Sequence, residues 1–148
     1  MGTIIMDPYG THFQALAAAI TISSGDVLEL GCGHYSTPLL HELCRYRKLI
    51  SYETDPEWLK PFLYLSCSWH TFVSQIPLDK WSVVFVDNAP AERRIPDILS
   101  LRERTRLFVV HDTESSVYDY NKISPKFQYR LDFTTYIPWT TIFSDQPF

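Results

Sequence analysis

The 148-residue sequence predicts a single small α/β domain, in which helices cover both faces of a doubly wound, mostly parallel sheet and so form three layers. Three observations carry this prediction. Apolar strand patterns alternate with helical patterns along the chain. A glycine-rich turn follows the first strand, and two later strands are almost unbroken apolar runs, as in central parallel strands that are covered on both faces.

The N-terminal part of the chain is predicted to be helical. Apolar residues at helical spacing predict a helix from Tyr9 to Ile22, beginning after Pro8. The single domain therefore consists of an N-terminal helical segment at 1–24 and a sheet core at 25–148.

The first strand, 26–30, runs into the turn Gly31-Cys32-Gly33, where glycine permits torsions and close approaches that a side chain would block. A helix over 36–46 follows, with Ser36 or Thr37 as its N-cap. Such a strand–turn–helix unit exposes backbone N–H groups and a helix N-terminus to a nucleotide-like ligand.

The second strand, 48–52, ends at Glu53, twenty residues after Gly33. A carboxylate at this place is suited to bind both hydroxyls of a ribose. Thr54 or Asp55 caps a further helix over 56–67. Its apolar stripe is predicted to be core and consists of Trp58, Leu59, Phe62 and Leu63.

Polar residues or glycines follow four of the predicted strands. Ligands of open parallel sheets bind at the carboxyl ends of the strands, so these positions predict one site along that edge. The remaining predicted elements are strands at 70–74, 81–87, 106–112, 129–134 and 139–143 and a helix at 92–104. The four strand ends are Gly31 to Gly33, Glu53 to Asp55, Asp87 to Pro90 and His111 to Glu114.

Charge and composition limit the classes of partner that we expect the protein to bind. Seventeen acidic and thirteen basic residues give a net charge of −4, which argues against a nucleic-acid partner. We interpret the arginines of the region 93–106 as a solvated helix face. No apolar run is long enough to cross a bilayer, so we expect no membrane partner.

The cysteines indicate a reducing compartment. Cys32, Cys44 and Cys67 are odd in number and include no close pair, so neither a disulfide framework nor a zinc knuckle fits. We expect reduced thiols in a cytoplasmic protein.

The acidic-x-Gly-x-Gly run that begins at Glu29, together with Glu53, resembles the class I S-adenosylmethionine-dependent methyltransferases. Ser36 stands where that pattern has a third glycine. The resemblance implies a Rossmann-like fold whose sheet finishes in a C-terminal antiparallel hairpin, with S-adenosylmethionine as cofactor. Glu29 would either brace the turn or hold the methionine amino group. The cofactor-binding residues implied are Glu29, Gly31, Cys32, Gly33, Tyr35, Ser36, Glu53, Thr54 and Asp87.

The ends of the fourth and fifth strands resemble those of small-molecule and sugar O-methyltransferases. In this sequence they read Asp87 and His111-Asp112-Thr113. The resemblance implies methylation of an oxygen of a small-molecule acceptor or sugar, with Asp87, His111 and Asp112 as catalytic residues. Three roles stay open: His111 is a general base, His111 merely shapes the site, or a divalent cation such as Mg²⁺ is held by Asp87, Asn88 and Asp112.

Two other functions stay open at this point. One is a non-catalytic domain or partner subunit that binds S-adenosylmethionine. The other is an NAD-binding oxidoreductase, against which the acid before the first glycine argues. Residues 87–90 also resemble a motif of amino-methylating nucleic-acid methyltransferases, but Ala89 and Ala91 replace a proline and an aromatic residue of that motif.

Little of the sequence is available for a lid over the site. The segments 1–9 and 115–125 are the candidates, and the second carries Tyr118, Tyr120 and Pro125 as substrate-facing residues. A sparse lid predicts either an open site for a bulky acceptor or a homo-oligomer in which a second copy completes the site.

Overall fold

The computed structural model describes residues 10–148, which form one seven-stranded sheet with helices on both faces. The strands are β1 (Val27–Leu30), β2 (Leu49–Tyr52), β3 (His70–Val73), β4 (Trp81–Val86), β5 (Thr105–His111), β6 (Tyr129–Phe133) and β7 (Thr140–Ser144). The α-helices are α1 (Phe13–Thr21), α2 (Thr37–Leu43), α3 (Pro56–Leu59) and α4 (Arg94–Leu101).

The strand order is β3-β2-β1-β4-β5-β7-β6, with β7 antiparallel to both of its neighbours. The order reverses between β1 and β4, which places the switch point directly beside the glycine turn. Val27 of β1 lies opposite both Leu49 and Val83, so β1 is paired along both edges. The predicted three-layer fold and closing antiparallel pair are confirmed.

Two apolar clusters occupy the two faces of the sheet. One packs α1 and α2 against the strands and includes Leu16 and Leu40. The other packs α4 and the segment after β5 and includes Ile98 and Ile123. No helix among residues 10–148 is long and apolar enough to cross a membrane.

The predicted helix over 56–67 differs from the structure. Its α-helical part ends at Leu59, and a 3₁₀ segment continues over Lys60–Leu65, because Pro61 has no N–H for an α-helical bond. Phe62 is buried, but Trp58 is 44% exposed and does not belong to the core. The prediction of a wholly buried stripe is therefore wrong.

The helix after β4 also corrects a prediction. Arg94, Ile98 and Leu101 lie at i, i+4 and i+7 of α4 and all face inward, since each is at most 5% exposed. Arg94 is thus a buried cation and no part of a solvated face. The predicted start of the first helix at Tyr9 falls outside the described residues, and α1 itself begins at Phe13.

Candidate active site

A cavity of about 890 Å³ opens at the carboxyl ends of β1, β2, β4 and β5. Nine of the predicted cofactor-binding, catalytic and metal residues line it: Cys32, Gly33, Tyr35, Ser36, Glu53, Thr54, Asp87, His111 and Asp112. Glu29, Gly31 and Asn88 do not line it. Lining residues that sequence reasoning missed include His12, Trp58 and Arg94.

Gly31 lets the first turn lie against the loop after β4. Its φ is +87°, a left-handed torsion that favours glycine. A Cβ at this position would lie 2.6 Å from the carbonyl oxygen of Asp87 and 2.7 Å from Cα of Asn88. The residue is therefore needed for the close approach of two backbones behind the cavity wall.

Glu29 braces the turn from behind. Its fully buried carboxylate accepts hydrogen bonds from the hydroxyls of Ser36 at 2.7 Å, Thr37 at 2.9 Å and Ser51 at 2.7 Å. Burial raises its pKa to about 7, against the opposing effect of these donors. Of the two roles left open for Glu29, the geometry favours bracing, and the hydroxyl hydrogens of Ser36 and Thr37 are used in it.

Glu53 joins the turn to the loop after β2. Its Oε1 accepts from the backbone N–H of Cys32 at 3.1 Å, and its Oε2 accepts from the N–H groups of Thr54 and Asp55 at 3.0 Å each. The indole Nε1 of Trp58 donates to the Cys32 carbonyl at 2.6 Å. The turn is thus held from both sides at the cavity wall.

Two carboxylates and two cationic groups meet at the other end of the cavity. Nη2 of Arg94 lies 3.0 Å from Oδ1 of Asp87, and its Nη1 lies 3.1 Å from Oδ2 of Asp112. Nδ1 of His111 lies 3.3 Å from Oδ1 of Asp87. Asp112 adopts a φ of 64°, a conformation that is uncommon outside glycine and typical of functional sites.

Hydrogen bonding identifies the protonation state of His111. The Thr11 hydroxyl donates to the Pro138 carbonyl at 2.7 Å, so its oxygen accepts from Nε2–H of His111 at 3.1 Å. Nδ1 faces the carboxylate of Asp87 and is also a donor. Burial lowers the pKa of His111, but the hydrogen bond and charge of Asp87 and the charge of Asp112 outweigh burial and raise it. These surroundings favour the imidazolium form of His111, so the geometry suits a ring that pairs with Asp87 more than one that acts as a neutral base.

The structure does not support the tentative cation site. Ligand atoms of Asp87, His111 and Asp112 lie within 4.8 Å of one another, but Arg94 already pairs with both carboxylates. The side chain of Asn88 points elsewhere, since its Nδ2 donates to Asp97 at 3.0 Å. The ligand set predicted from Asp87, Asn88 and Asp112 is therefore not assembled.

His12 is the most unusual group that the sequence did not single out. It lies before α1, is 2% exposed, and packs edge-on against His111 with ring centroids 5.2 Å apart. Neither ring nitrogen makes a hydrogen bond of normal geometry among the described residues, although the Tyr35 backbone lies near the ring. Burial and the neighbouring His111 lower its pKa to about 4, so His12 is a neutral imidazole on the cavity wall.

The three residues singled out in the predicted substrate-facing loop, 115–125, lie in different surroundings. Tyr118 lines the cavity, and the Arg94 guanidinium carbon lies 4.0 Å from its ring centroid. Tyr120 is 5% exposed and donates to the backbone carbonyl of His111, so it supports the cluster from the core. Pro125 is exposed and does not line the cavity. Residues 1–9 lie outside the described part of the chain.

No protein-family profile and no curated protein sequence matches the chain. Solved structures do. A Staphylococcus aureus protein assigned as a caffeoyl-CoA O-methyltransferase aligns over 94% of this chain and 84% of its own, with 13% identity and a TM-score of 0.70. The N-terminal domain of human METTL16 in complex with SAH aligns over 98% and 73%, at 13% identity and a TM-score of 0.62. The human methyltransferase 10 domain containing protein aligns over 97% and 86%, at 12% identity and 0.60.

The comparisons contradict the prediction that a nucleic-acid partner is unlikely. The METTL16 catalytic domain in complex with the MAT2A 3′UTR hairpin 1 aligns over 97% of this chain and 71% of its own, with 13% identity and a TM-score of 0.62. A protein of this fold is therefore known in complex with RNA. The chain has the fold of the class I S-adenosylmethionine-dependent methyltransferases.

Proposed function

We propose that the protein is an S-adenosylmethionine-dependent methyltransferase whose acceptor atom is a hydroxyl oxygen of a small molecule or sugar. The observation that carries the proposal is that one cavity joins the glycine turn and Glu53 to the cluster of Asp87, His111, Asp112 and Arg94. The first end suits the cofactor, and the second suits an acceptor with a transferable proton.

The residues at the first end fit the cofactor. The Glu53 carboxylate lies on the cavity wall at the end of β2, where its oxygens can accept from ribose hydroxyls. Gly33 leaves the turn without a side chain at the wall, and the exposed Trp58 ring provides an apolar surface beside it. When bound, S-adenosylmethionine supplies an electrophilic methyl group on a sulfonium sulfur.

Asp87 is the group proposed to receive the acceptor proton. Its Oδ1 is held by both Arg94 and His111, whereas its Oδ2 makes no hydrogen bond among the described residues. The side chain is 28% exposed on the cavity wall. An acceptor hydroxyl would donate to Oδ2, and the proton would pass to Asp87 as the oxygen–methyl bond forms and the sulfur–methyl bond breaks.

His12 and Tyr118 are proposed to orient the acceptor. The neutral imidazole of His12 lines the cavity beside His111 and can pack against the acceptor. Tyr118 is fixed by its stacking on Arg94, and its ring gives the acceptor a flat surface on the cavity wall. Both side chains line the cavity near Asp87.

Methylation of RNA is a second candidate, favoured by the RNA-bound METTL16 domain among the structures that resemble this chain. One experiment separates the two. Transfer of a labelled methyl group from S-adenosylmethionine is measured on polyols, phenols and RNA hairpins, with the wild type, Asp87→Asn and the exposed control Asp79→Asn.

The proposal predicts label on a hydroxyl compound. It also predicts a loss of about a hundredfold or more in kcat for Asp87→Asn, the size typical of general base catalysis. Cofactor affinity should be unchanged in both variants. Label in RNA alone would favour the second candidate. A protein that binds the cofactor and labels nothing would be a binding domain.

A further inference from the structure

A row of four polar side chains leads from the glycine turn to the molecular surface, away from the cavity. It runs from Glu29 through Ser51 and His70 to His41. The first three side chains are fully buried, whereas His41 is partly exposed. None of the four lines the cavity, and the site described above gives neither histidine a role.

The hydrogen bonds of this row all point the same way. The Ser51 hydroxyl donates to Oε1 of Glu29 at 2.7 Å, so its oxygen must accept from Nε2–H of His70 at 2.8 Å. Burial lowers the pKa of His70, and the nearby His41 lowers it further, to about 4. This ring is therefore neutral, and its Nδ1 carries no proton. That nitrogen accepts from Nδ1–H of His41 at 3.0 Å.

Aromatic neighbours hold both rings. His70 stacks on Phe72 with centroids 4.4 Å apart, and His41 packs on Trp69 at 5.0 Å. The Trp69 indole also donates to the His41 carbonyl at 3.1 Å. Every donor in the row is therefore fixed in a direction that leads toward Glu29.

We propose that His41, His70 and Ser51 form a proton relay between solvent and Glu29, through which pH controls how firmly the glycine turn is braced. In one passage His41 gains a proton at Nε2 and gives its Nδ1 proton to His70. His70 then gives its Nε2 proton to Ser51, and Ser51 gives its hydroxyl proton to Glu29. One proton enters, one is delivered, and both imidazoles stay neutral.

Delivery of the proton weakens the brace. Burial, the largest effect, places the pKa of Glu29 at about 7; the charge of Asp87 raises it, and the hydroxyl donors lower it. The thiol of Cys32 is the other titratable group beside it. A protonated Glu29 accepts less well from Ser36 and Thr37, so the turn loosens as pH falls through about 7. The use of cofactor affinity to detect this loosening rests on the proposed function, because it assumes that the cavity binds S-adenosylmethionine.

The first test reads the tautomers by ¹⁵N NMR of the histidine rings. The relay requires a proton on Nε2 and none on Nδ1 of His70, and a proton on Nδ1 of His41. A His70 ring protonated at Nδ1 would overturn the proposal. This test needs no ligand, so its result stands even if S-adenosylhomocysteine fails to bind and the proposed function falls.

The second test is kinetic and uses His41→Phe, which breaks the relay at its exposed end. Tryptophan fluorescence after a pH jump from 8 to 6 reports the turn through Trp58, which donates to the Cys32 carbonyl. All proteins carry Trp69→Phe, because Trp69 packs on His41 and would otherwise report that ring directly. The variant should relax about tenfold more slowly than the wild type and than Thr71→Val, an exposed neighbour of His70. Equal relaxation in all three proteins would show that protons reach Glu29 by another path.

The third test measures S-adenosylhomocysteine affinity between pH 5.5 and 8.5. In the wild type the affinity should fall below about pH 7, approaching about tenfold per pH unit. Ser51→Ala removes a donor that stabilises the Glu29 charge, so its midpoint should lie at higher pH. A flat profile in the wild type, with binding intact, would reject control of the turn by Glu29.

Discussion

Arg94 donates from Nη2 to Oδ1 of Asp87 at 3.0 Å, and its guanidinium is only 6% exposed. Its Nη1 reaches Asp112 as well, so one buried cation joins the ends of β4 and β5. Arg94 therefore pairs with both strand-end carboxylates. This arrangement leaves Oδ2 of Asp87 as the acceptor that faces the cavity.

Replacement of Arg94 by leucine should be strongly destabilising. It leaves two carboxylates without their shared partner, and breaking a buried pair in this way costs about 3–5 kcal/mol. Urea unfolding at pH 7 measures the loss. Arg45→Leu is the control, because the Arg45–Glu42 pair is 57% and 61% exposed and should contribute less than about 1 kcal/mol. Equal losses in the two variants would contradict the assignment of Arg94 to the buried cluster.

His111 should stabilise the fold below neutral pH. Burial disfavours its charge, but the hydrogen bond and charge of Asp87 raise its pKa above 6.5. A raised folded-state pKa gives stability that is fully present below pH 6.5 and is lost as pH rises through the folded value. The stability difference between wild type and His111→Gln should therefore shrink on going to alkaline pH. An NMR titration midpoint below 6.5 for this ring would contradict the imidazolium assignment.

His12 should have the opposite pH dependence. The pKa of His12 is lowered from 6.5 to about 4. Between these two pH values the unfolded chain binds a proton at His12 that the folded protein does not bind. At pH 5.5 this costs about 1.4 kcal/mol relative to pH 7.5. His12→Phe, which keeps a ring in the buried position, should gain stability over the wild type as pH falls. A stability difference independent of pH would show that folding does not lower the pKa of His12.

Gly31→Ala should disrupt both stability and cofactor binding. The new Cβ would meet backbone atoms at 2.6 Å and 2.7 Å at a φ of +87°, and the resulting strain should cost about 2 kcal/mol or more. Gly10→Ala is the control, since among residues 10–148 its Cβ would meet only the Tyr35 ring, at 3.5 Å. Thermal unfolding and a titration with S-adenosylhomocysteine measure the two effects. A stable Gly31→Ala protein with normal binding would contradict the packing described for the turn.

The sheet and the polar residues at the carboxyl ends of its strands were predictable because they depend on local patterns. The apolar runs that become β4 and β5 end at Asp87 and His111, and a parallel sheet brings such ends to one edge. The glycine turn and Glu53 were found in the same way. The order in which the strands pair then decides which ends meet, and the sequence analysis did not specify that order.

The missed residues depend on tertiary packing. Arg94 looked solvated within a run of arginines, although its spacing from Ile98 and Leu101 places it on the inward stripe of α4. That spacing was the signal available. Trp58 reaches the cavity wall through a tertiary contact, since its indole donates to the Cys32 carbonyl, and no local pattern indicates that contact. Nothing in the sequence indicates that His12 lies beside the end of β5.

The central claim is that the turn and Glu53 form one end of an S-adenosylmethionine site. Calorimetric titration of the wild type and Glu53→Ala with S-adenosylmethionine and S-adenosylhomocysteine, with NAD as control, tests it most directly. The account predicts saturable binding of both sulfur ligands, weakened in Glu53→Ala, and no binding of NAD. A folded wild type that binds neither sulfur ligand, or that binds NAD instead, would contradict the account.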